Sequence, residues 1–145
     1  MNVKSILAAK SLGGDIISIE PKANLAAAAR LLAAHRIGAV VIRGAGGRLA
    51  GILSERDIVR ALAENDAGAL GQTVGQVMTR EVVTCGPNDS VASLMERMTA
   101  GKFRHMPVVE NGQLLGLVSI GDVVKQRVGE IEQESEAMRD YLRTA

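Results

Sequence analysis

The chain has 145 residues, 47% hydrophobic and 23% charged, with a formal net charge of +1, a balance that fits one compact globular module and argues against disorder. Near-neutral charge, no long Lys/Arg run, one Phe and one Tyr argue against a nucleic-acid surface, which needs a basic footprint and stacking aromatics. A single cysteine, Cys85, rules out an internal disulfide framework and a Cys-based zinc site; with no His or cationic neighbour in sequence it reads as a small residue near a strand end.

Residues 1–14 form an N-terminal segment in which Lys4 and Lys10 flank an apolar stretch too short for the core of a signal peptide. The longest candidate for a membrane span, Leu25 to Ile42, is interrupted by Arg30, His35 and Arg36, so no crossing and a cytoplasmic location are expected. The rest of the chain is a duplication. Pro21 and Pro87 lie 66 positions apart, while Gly51/Gly116, Ser54/Ser119 and Asp57/Asp122 lie 65 apart, the one-residue deficit falling in the loop where RGAGGR faces the shorter VENGQ.

Each copy opens with a short β-branched run, Ile16 to Ile19 or Val82 to Thr84, followed by a proline and then by Asn24 or Ser90 as a helix N-cap. Leu25, Ala28, Ala29 and Leu32, and in the second copy Val91, Leu94, Met95 and Met98, recur at the steps of a helix buried on one face. His35, at the end of the first of these helices, complements the helix dipole. The runs AVVIRGAGGRLAGIL and MPVVENGQLLGLV read as β-hairpins, and a second helix follows Ser54 and Ser119. The expected fold is therefore mixed α/β, a β-α-β-β-α unit occurring twice with pseudo-twofold symmetry. Its boundaries are 15–64 and 79–128, joined by a linker over 65–78 and extended by a terminal helix over 129–145.

Ser54-Glu55-Arg56-Asp57 and Ser119-Ile120-Gly121-Asp122 each admit two readings. The structural one is a capping box, in which the serine accepts a first-turn amide and the aspartate reaches back to the cap, contributing about 1 kcal/mol. The functional one uses the same geometry: a strand turning tightly into a helix aims amides and a hydroxyl at one point, suited to an anion, while the carboxylate suits a pair of ribose hydroxyls. Beyond Val123, residues Val124, Val128, Ile131, Ser135, Met138 and Leu142 form a heptad-like stripe, which packs either on the module's own core or on a second subunit.

GILSERDIV and GLVSIGDVV, the hairpin entries RIGAVVI and FRHMPVV, and the lead-in VMTREVVTCGPNDSV together resemble the CBS (cystathionine β-synthase) domain pair, or Bateman module, from Asp15 to about Val128. The resemblance implies clefts between the repeats that bind an adenine nucleotide such as AMP, ADP, ATP or NAD(H), or an S-adenosyl compound, and a regulatory rather than catalytic role. It assigns Asp57 and Asp122 to ribose hydroxyls and Ser54 and Ser119 to phosphate or ribose. Ser18 and Thr84 would border the adenine, with Ile37, Met106 and Pro107 as walls. Arg104 and His105 stand where the first copy has Gly38 and Ala39, and the residue before the aspartate is Arg56 in one copy and Gly121 in the other, so the two sites are expected to differ. The resemblance also implies a homodimer and a separate regulated protein. No nucleophile–base pair, metal-ligand set or phosphate loop accompanies the motifs, which argues against an enzyme. The alternative is an interaction module that binds no nucleotide.

Overall fold

The computed structural model describes residues 1–10 and 16–144; the expected boundary at 14/15 and Ala145 lie outside them. In chain order the elements are α1 (Val3–Lys10), β1 (Ser18–Ile19), α2 (Leu25–His35), β2 (Ala39–Arg43), β3 (Leu49–Ser54), α3 (Glu55–Asn65), α4 (Val74–Val77), α5 (Val91–Gly101), β4 (His105–Glu110), β5 (Gln113–Ser119) and α6 (Ile120–Thr144), with short 3-10 turns at Ala45–Gly47 and Asp66–Gly71.

The first helix of each copy starts where its cap requires. Asn24 accepts the Ala27 amide at 2.8 Å and Ser90 accepts the Ser93 amide at 3.1 Å, satisfying donors that the helix itself leaves orphaned. Both helices stop at a residue in the left-handed region, Arg36 (φ 53°) and Lys102 (φ 57°). Their buried faces are Leu25, Ala28 and Leu32 in α2 and Val91, Leu94 and Met98 in α5, the expected stripes. The β4–β5 connection is the two-residue turn Asn111-Gly112, whose positive φ values (52° and 78°) match the twist of a tight hairpin.

The opening strands are shorter than expected. In the first copy only Ser18 and Ile19 pair, parallel to Val41 and Ile42 of β2, while β2 and β3 run antiparallel. In the second copy Val82 to Thr84 form no strand; pairing is reduced to one parallel bridge, Cys85 with Val108, held by Cys85 N to Pro107 O (3.0 Å) and Val109 N to Cys85 O (2.8 Å). The β-branched composition is correct for a strand, but a single bridge beside β4 supplies too few ladder partners to extend it.

Two compact units result, each with its own core. One core joins Leu25, Leu32, Val40, Ile42, Leu53 and Ile58 to Ala69, Val74 and Met78. The expected linker is thus structured and part of this core. α4 is opened by a capping box in which Thr73 and Gln76 exchange contacts of 3.0 and 3.2 Å. The other core joins Val91, Leu94, Met98, Met106, Val108, Val118 and Val123 to Val3 and Ile6 of α1.

The leading helices dock by equivalent backbone contacts. Val74 N donates to Ala23 O (2.7 Å) and Gly75 N to Pro21 O (2.9 Å); Val3 N donates to Asp89 O (3.0 Å) and Lys4 N to Pro87 O (3.0 Å). Thus the helix preceding each copy in sequence closes the core of the other copy. The motif glycines admit it. A Cβ on Gly51 would lie 2.6 Å from the Thr79 carbonyl oxygen, and one on Gly116 would lie 2.7 Å from Leu7 Cδ2, distances that no side chain tolerates without displacement.

Two outcomes are expected. Replacing Ile6, 3% exposed, by Ala removes methyl groups from a closed core and lowers stability by about 2–5 kcal/mol, measured as a reduced denaturant midpoint. Cys85, also buried, has its thiol pushed up to about 11 by desolvation, which outweighs the opposing charge of Arg97. At pH 8 it should resist a disulfide reagent in the native protein and react promptly once denaturant unfolds the chain.

Candidate functional site

The two Ser-x-x-Asp turns fold alike. At the β3–α3 turn, Ser54 Oγ accepts the Asp57 amide (3.3 Å) while Asp57 Oδ2 accepts the Ser54 amide (2.9 Å). At the β5–α6 turn, Ser119 Oγ accepts the Asp122 amide (3.2 Å) and Asp122 Oδ2 accepts the Ser119 amide (2.9 Å). The first helical amide is also used: Glu55 N donates to Gly38 O at 2.9 Å, and Ile120 N donates to Arg104 O at 2.7 Å. The expected cluster of free donors is therefore smaller than the motif implies. Of the first three amides, only that of Arg56 or Gly121 has no partner among the described contacts.

Beyond the caps the copies diverge. Asp57 is 5% exposed; its Oδ2 also accepts from Ser54 Oγ (3.2 Å), and Arg60, one turn along the same helix, reaches Oδ1 at 3.5 Å. The Asp122 side chain is 26% exposed, and its cation comes from far away in sequence. Lys10 Nζ, at the end of α1, donates to Asp122 Oδ2 at 2.8 Å and to the Leu117 carbonyl at 2.7 Å. In the first copy the equivalent carbonyl, that of Ile52, accepts the Thr79 amide at 2.9 Å instead. Partial burial pushes the Asp122 carboxyl up, but hydrogen bonds from Lys10 and Ser119 and the Lys10 charge outweigh it, leaving the group below the ordinary carboxylate range.

The remaining expected site residues are placed as follows. Arg56 is exposed on the first turn of α3; Arg104 is exposed just before β4, and His105 is half-buried at its start. Gly121 is exposed and has room for a side chain, since a Cβ there would meet only Ser119 Oγ at 3.6 Å. Ser18 is half-buried in β1, Ile37 packs partly against the first core, and Thr84 is exposed, its carbonyl accepting from Arg97 at 3.2 Å. Of the expected ligand walls, Met106 is 0% exposed inside the second core and Pro107 is buried in β4. At the second turn the structure brings together Ser119, Gly121, Asp122 and the Arg104 carbonyl, and adds Lys10, which sequence reasoning used only in excluding a signal peptide. Among the described residues no group of three or more His, Cys, Asp and Glu is placed to hold a metal, and no helix is long and apolar enough to cross a membrane.

The CBS domain model matches the chain twice, over residues 4–64 and 74–129. The mitochondrial CBS domain-containing protein CBSX3 of Arabidopsis thaliana is 34% identical over 119 residues, 79% of this chain and 58% of its own length. The CBS domain-containing protein YhcV of Bacillus subtilis is 33% identical over 122 residues, 83% of each chain. This chain spans less than two thirds of CBSX3 and 64% of a 17.7 kDa relative from Acidianus ambivalens. Among solved structures, the CBS-domain containing protein ATU1752 from Agrobacterium tumefaciens has a TM-score of 0.82 at 48% identity, covering 87% of this chain and 92% of that one. The CBS domain pair of protein MJ0100, solved in complex with 5′-methylthioadenosine and S-adenosyl-L-methionine, has a TM-score of 0.77 at 27% identity, covering 90% and 98%. With caps, glycines and strand-to-helix turns repeated in both matched segments, the chain belongs to the CBS domain family and carries two CBS domains in tandem.

Proposed function

We propose that this chain is a regulatory module that binds an adenosine-containing ligand at the β5–α6 turn of its second CBS domain and signals occupancy to a separate protein. The observation that carries this reading is the Asp122 carboxylate: partly exposed, ionised below the ordinary range and held at the start of a helix beside an amide with no partner among the described contacts. An ionised carboxylate with an accessible oxygen accepts from ribose hydroxyls, and the Gly121 amide suits an anionic group. The MJ0100 domain pair, with its two adenosine compounds, supports the ligand class. AMP, ADP, ATP, NAD(H) and S-adenosyl compounds all carry the ribose that this turn would hold. Arg104 and His105 supply charge and imidazole nearby for a phosphate tail. The module acts without catalysis, in the cytoplasm.

The first copy favours a different role. Asp57 is nearly closed off and engaged by Ser54 and Arg60, which is what a cap alone requires. Ser54, Arg56 and Asp57 belong to a second ligand site only if Asp57 becomes accessible. The reading of an interaction module without nucleotide rests on the same observation.

The apolar stripe on α6 points to assembly. The helix buries only Val123, while Val124, Val128, Ile131, Met138 and Leu142 are 43%, 48%, 51%, 59% and 66% exposed. Half of a 25-residue helix thus stands clear of its unit's core, with an apolar face that a second copy of the chain would cover in a homodimer.

Calorimetric titration tests the ligand. An adenosine compound should bind and, at a hundredfold excess over its Kd, raise stability by about 2.7 kcal/mol; Asp122→Asn should weaken it roughly tenfold and Asp57→Asn should leave it unchanged. Absence of binding by AMP, ADP, ATP, NAD, NADH, S-adenosyl-L-methionine and 5′-methylthioadenosine would establish the interaction-module reading. Light scattering coupled to size exclusion tests the stripe: the parent should elute as a dimer and the Ile131→Lys/Met138→Lys double variant as a folded monomer, whereas unchanged mass in both would remove the stripe from the interface.

A further inference from the structure

We propose that Lys10 is a ligand-binding residue of the second CBS domain, forming with Asp122 a clamp for a vicinal diol. This rests on the reading that the ligand carries ribose. Lys10 lies 112 residues from Asp122 in sequence and outside the repeated motif, yet its ammonium group stands 2.8 Å from the carboxylate.

The hydrogen-bond inventory points to a diol. An ammonium group has three donors; two are engaged, one with Asp122 Oδ2 and one with the Leu117 carbonyl, so one remains for a ligand oxygen. Asp122 Oδ2 accepts from Ser119 N and from Lys10, while Oδ1 has no partner among the described contacts. The turn thus presents an anionic acceptor and a cationic donor side by side. A sugar hydroxyl is both donor and acceptor, so one hydroxyl of a diol gives its proton to Oδ1 and the other accepts from Lys10, each bond polarising the other. The existing Lys10–Asp122 contact need not break. It sets the spacing of the two groups, and the Leu117 carbonyl fixes the ammonium against the end of β5.

The first copy shows that this arrangement is particular to the second. There the Thr79 amide takes the equivalent carbonyl, and the cation facing the aspartate is Arg60 of the same helix, bound to the very oxygen that is open in Asp122. Lys125, which occupies the position of Arg60 in the second copy, makes no contact with Asp122 among those described. The clamp therefore gives this site a demand for an intact 2′,3′-diol that the carboxylate alone would impose less strongly.

The test is titration of the parent, Lys10→Met and Lys10→Arg with AMP, ATP and 5′-methylthioadenosine, each beside its 2′,3′-dideoxy analogue. The methionine keeps the aliphatic stem and removes every donor; the arginine restores charge and donors. Circular dichroism and the unfolding midpoint verify that each variant is folded. Expected are a roughly tenfold preference of the parent for the diol ligands, a loss of about fivefold in Lys10→Met for those ligands only, and partial recovery in Lys10→Arg. A parent that prefers diols while Lys10→Met binds them equally well or more tightly would overturn the clamp and leave the ribose reading intact. An equal loss for diol and dideoxy ligands would also overturn it, assigning Lys10 to the docking of α1. A parent that binds none of the probes would overturn both.

Discussion

The close approach of a leading helix to a glycine is the constraint on which the rest of this structure depends. At Gly51 the chain after α4 passes so near that a methyl group would meet the Thr79 carbonyl, and at Gly116 the same room is filled by Leu7. These two glycines open the repeated motifs, and their role is to let the leading segment, Met78 and Thr79 just past α4 in one case and Leu7 of α1 in the other, lie against the strand that ends in the site. Because that segment precedes the other copy in sequence, neither CBS domain completes its core from its own residues. Val91, Leu94 and Val118 need Val3 and Ile6, as Leu25 and Leu53 need Val74 and Met78. Burying side chains of this size stabilises by about 1.5–3 kcal/mol each, a substantial share of a typical stability margin, so each core relies on the residues its leading helix contributes.

The same glycines position the chemistry. Each strand carries its glycine near the middle and ends in a serine cap, and the cap residue is both the end of the strand and the first wall of the candidate site. The capping box uses Asp57 or Asp122 to satisfy the backbone, which orients one carboxylate oxygen and leaves the second to be decided by neighbours. Arg60 and near-complete burial decide it in the first copy; Lys10 and partial exposure decide it in the second. One local motif therefore yields two different groups, through a cation one turn along the same helix in the first copy and one from the distant α1 in the second.

That contrast explains what could be read from the sequence. Caps at Asn24, Ser90, Ser54 and Ser119, the two hairpins, the buried stripes and the long terminal helix rest on interactions within a few residues, and spacing exposes them. The segment 65–78 was harder, since Gly and Ala suit a linker; the signal that it carries a helix was Thr73 with Gln76 three positions on, ahead of Val77 and Met78. Val82 to Thr84 have strand composition without strand pairing, a matter of how many ladder partners the neighbouring strand provides. Met106 and Pro107 lie close to Arg104 in sequence, yet both are buried: Met106 enters the second core, and Pro107, on the opposite face of β4 by strand alternation, is covered as well. Lys10 was out of reach because nothing in its surroundings separates a solvated lysine from one that meets a carboxylate in the other repeat.

The site also has a physical route outward. Asp122 lies in the first turn of α6, and that one helix runs from the site through Val123, its only buried residue, to the exposed stripe that ends at Leu142. A helix is stiff over this length, so a small rotation at its first turn moves the stripe as a body. α1 adds a second connection. Its Val3 and Ile6 are held in the core, while Lys10 at its far end touches the carboxylate, so a ligand that engages Lys10 and Asp122 bears on both helices at once. Binding can shift a conformational equilibrium only by its differential affinity for the two states. The contacts that would differ are the few at this turn: Lys10 with Leu117, Lys10 with Asp122, and Asp122 with Ser119. On the proposed reading, a signal generated there passes through the second core, where Val123 of α6 and Val3 and Ile6 of α1 are packed, to the outward-facing stripe of the same helix.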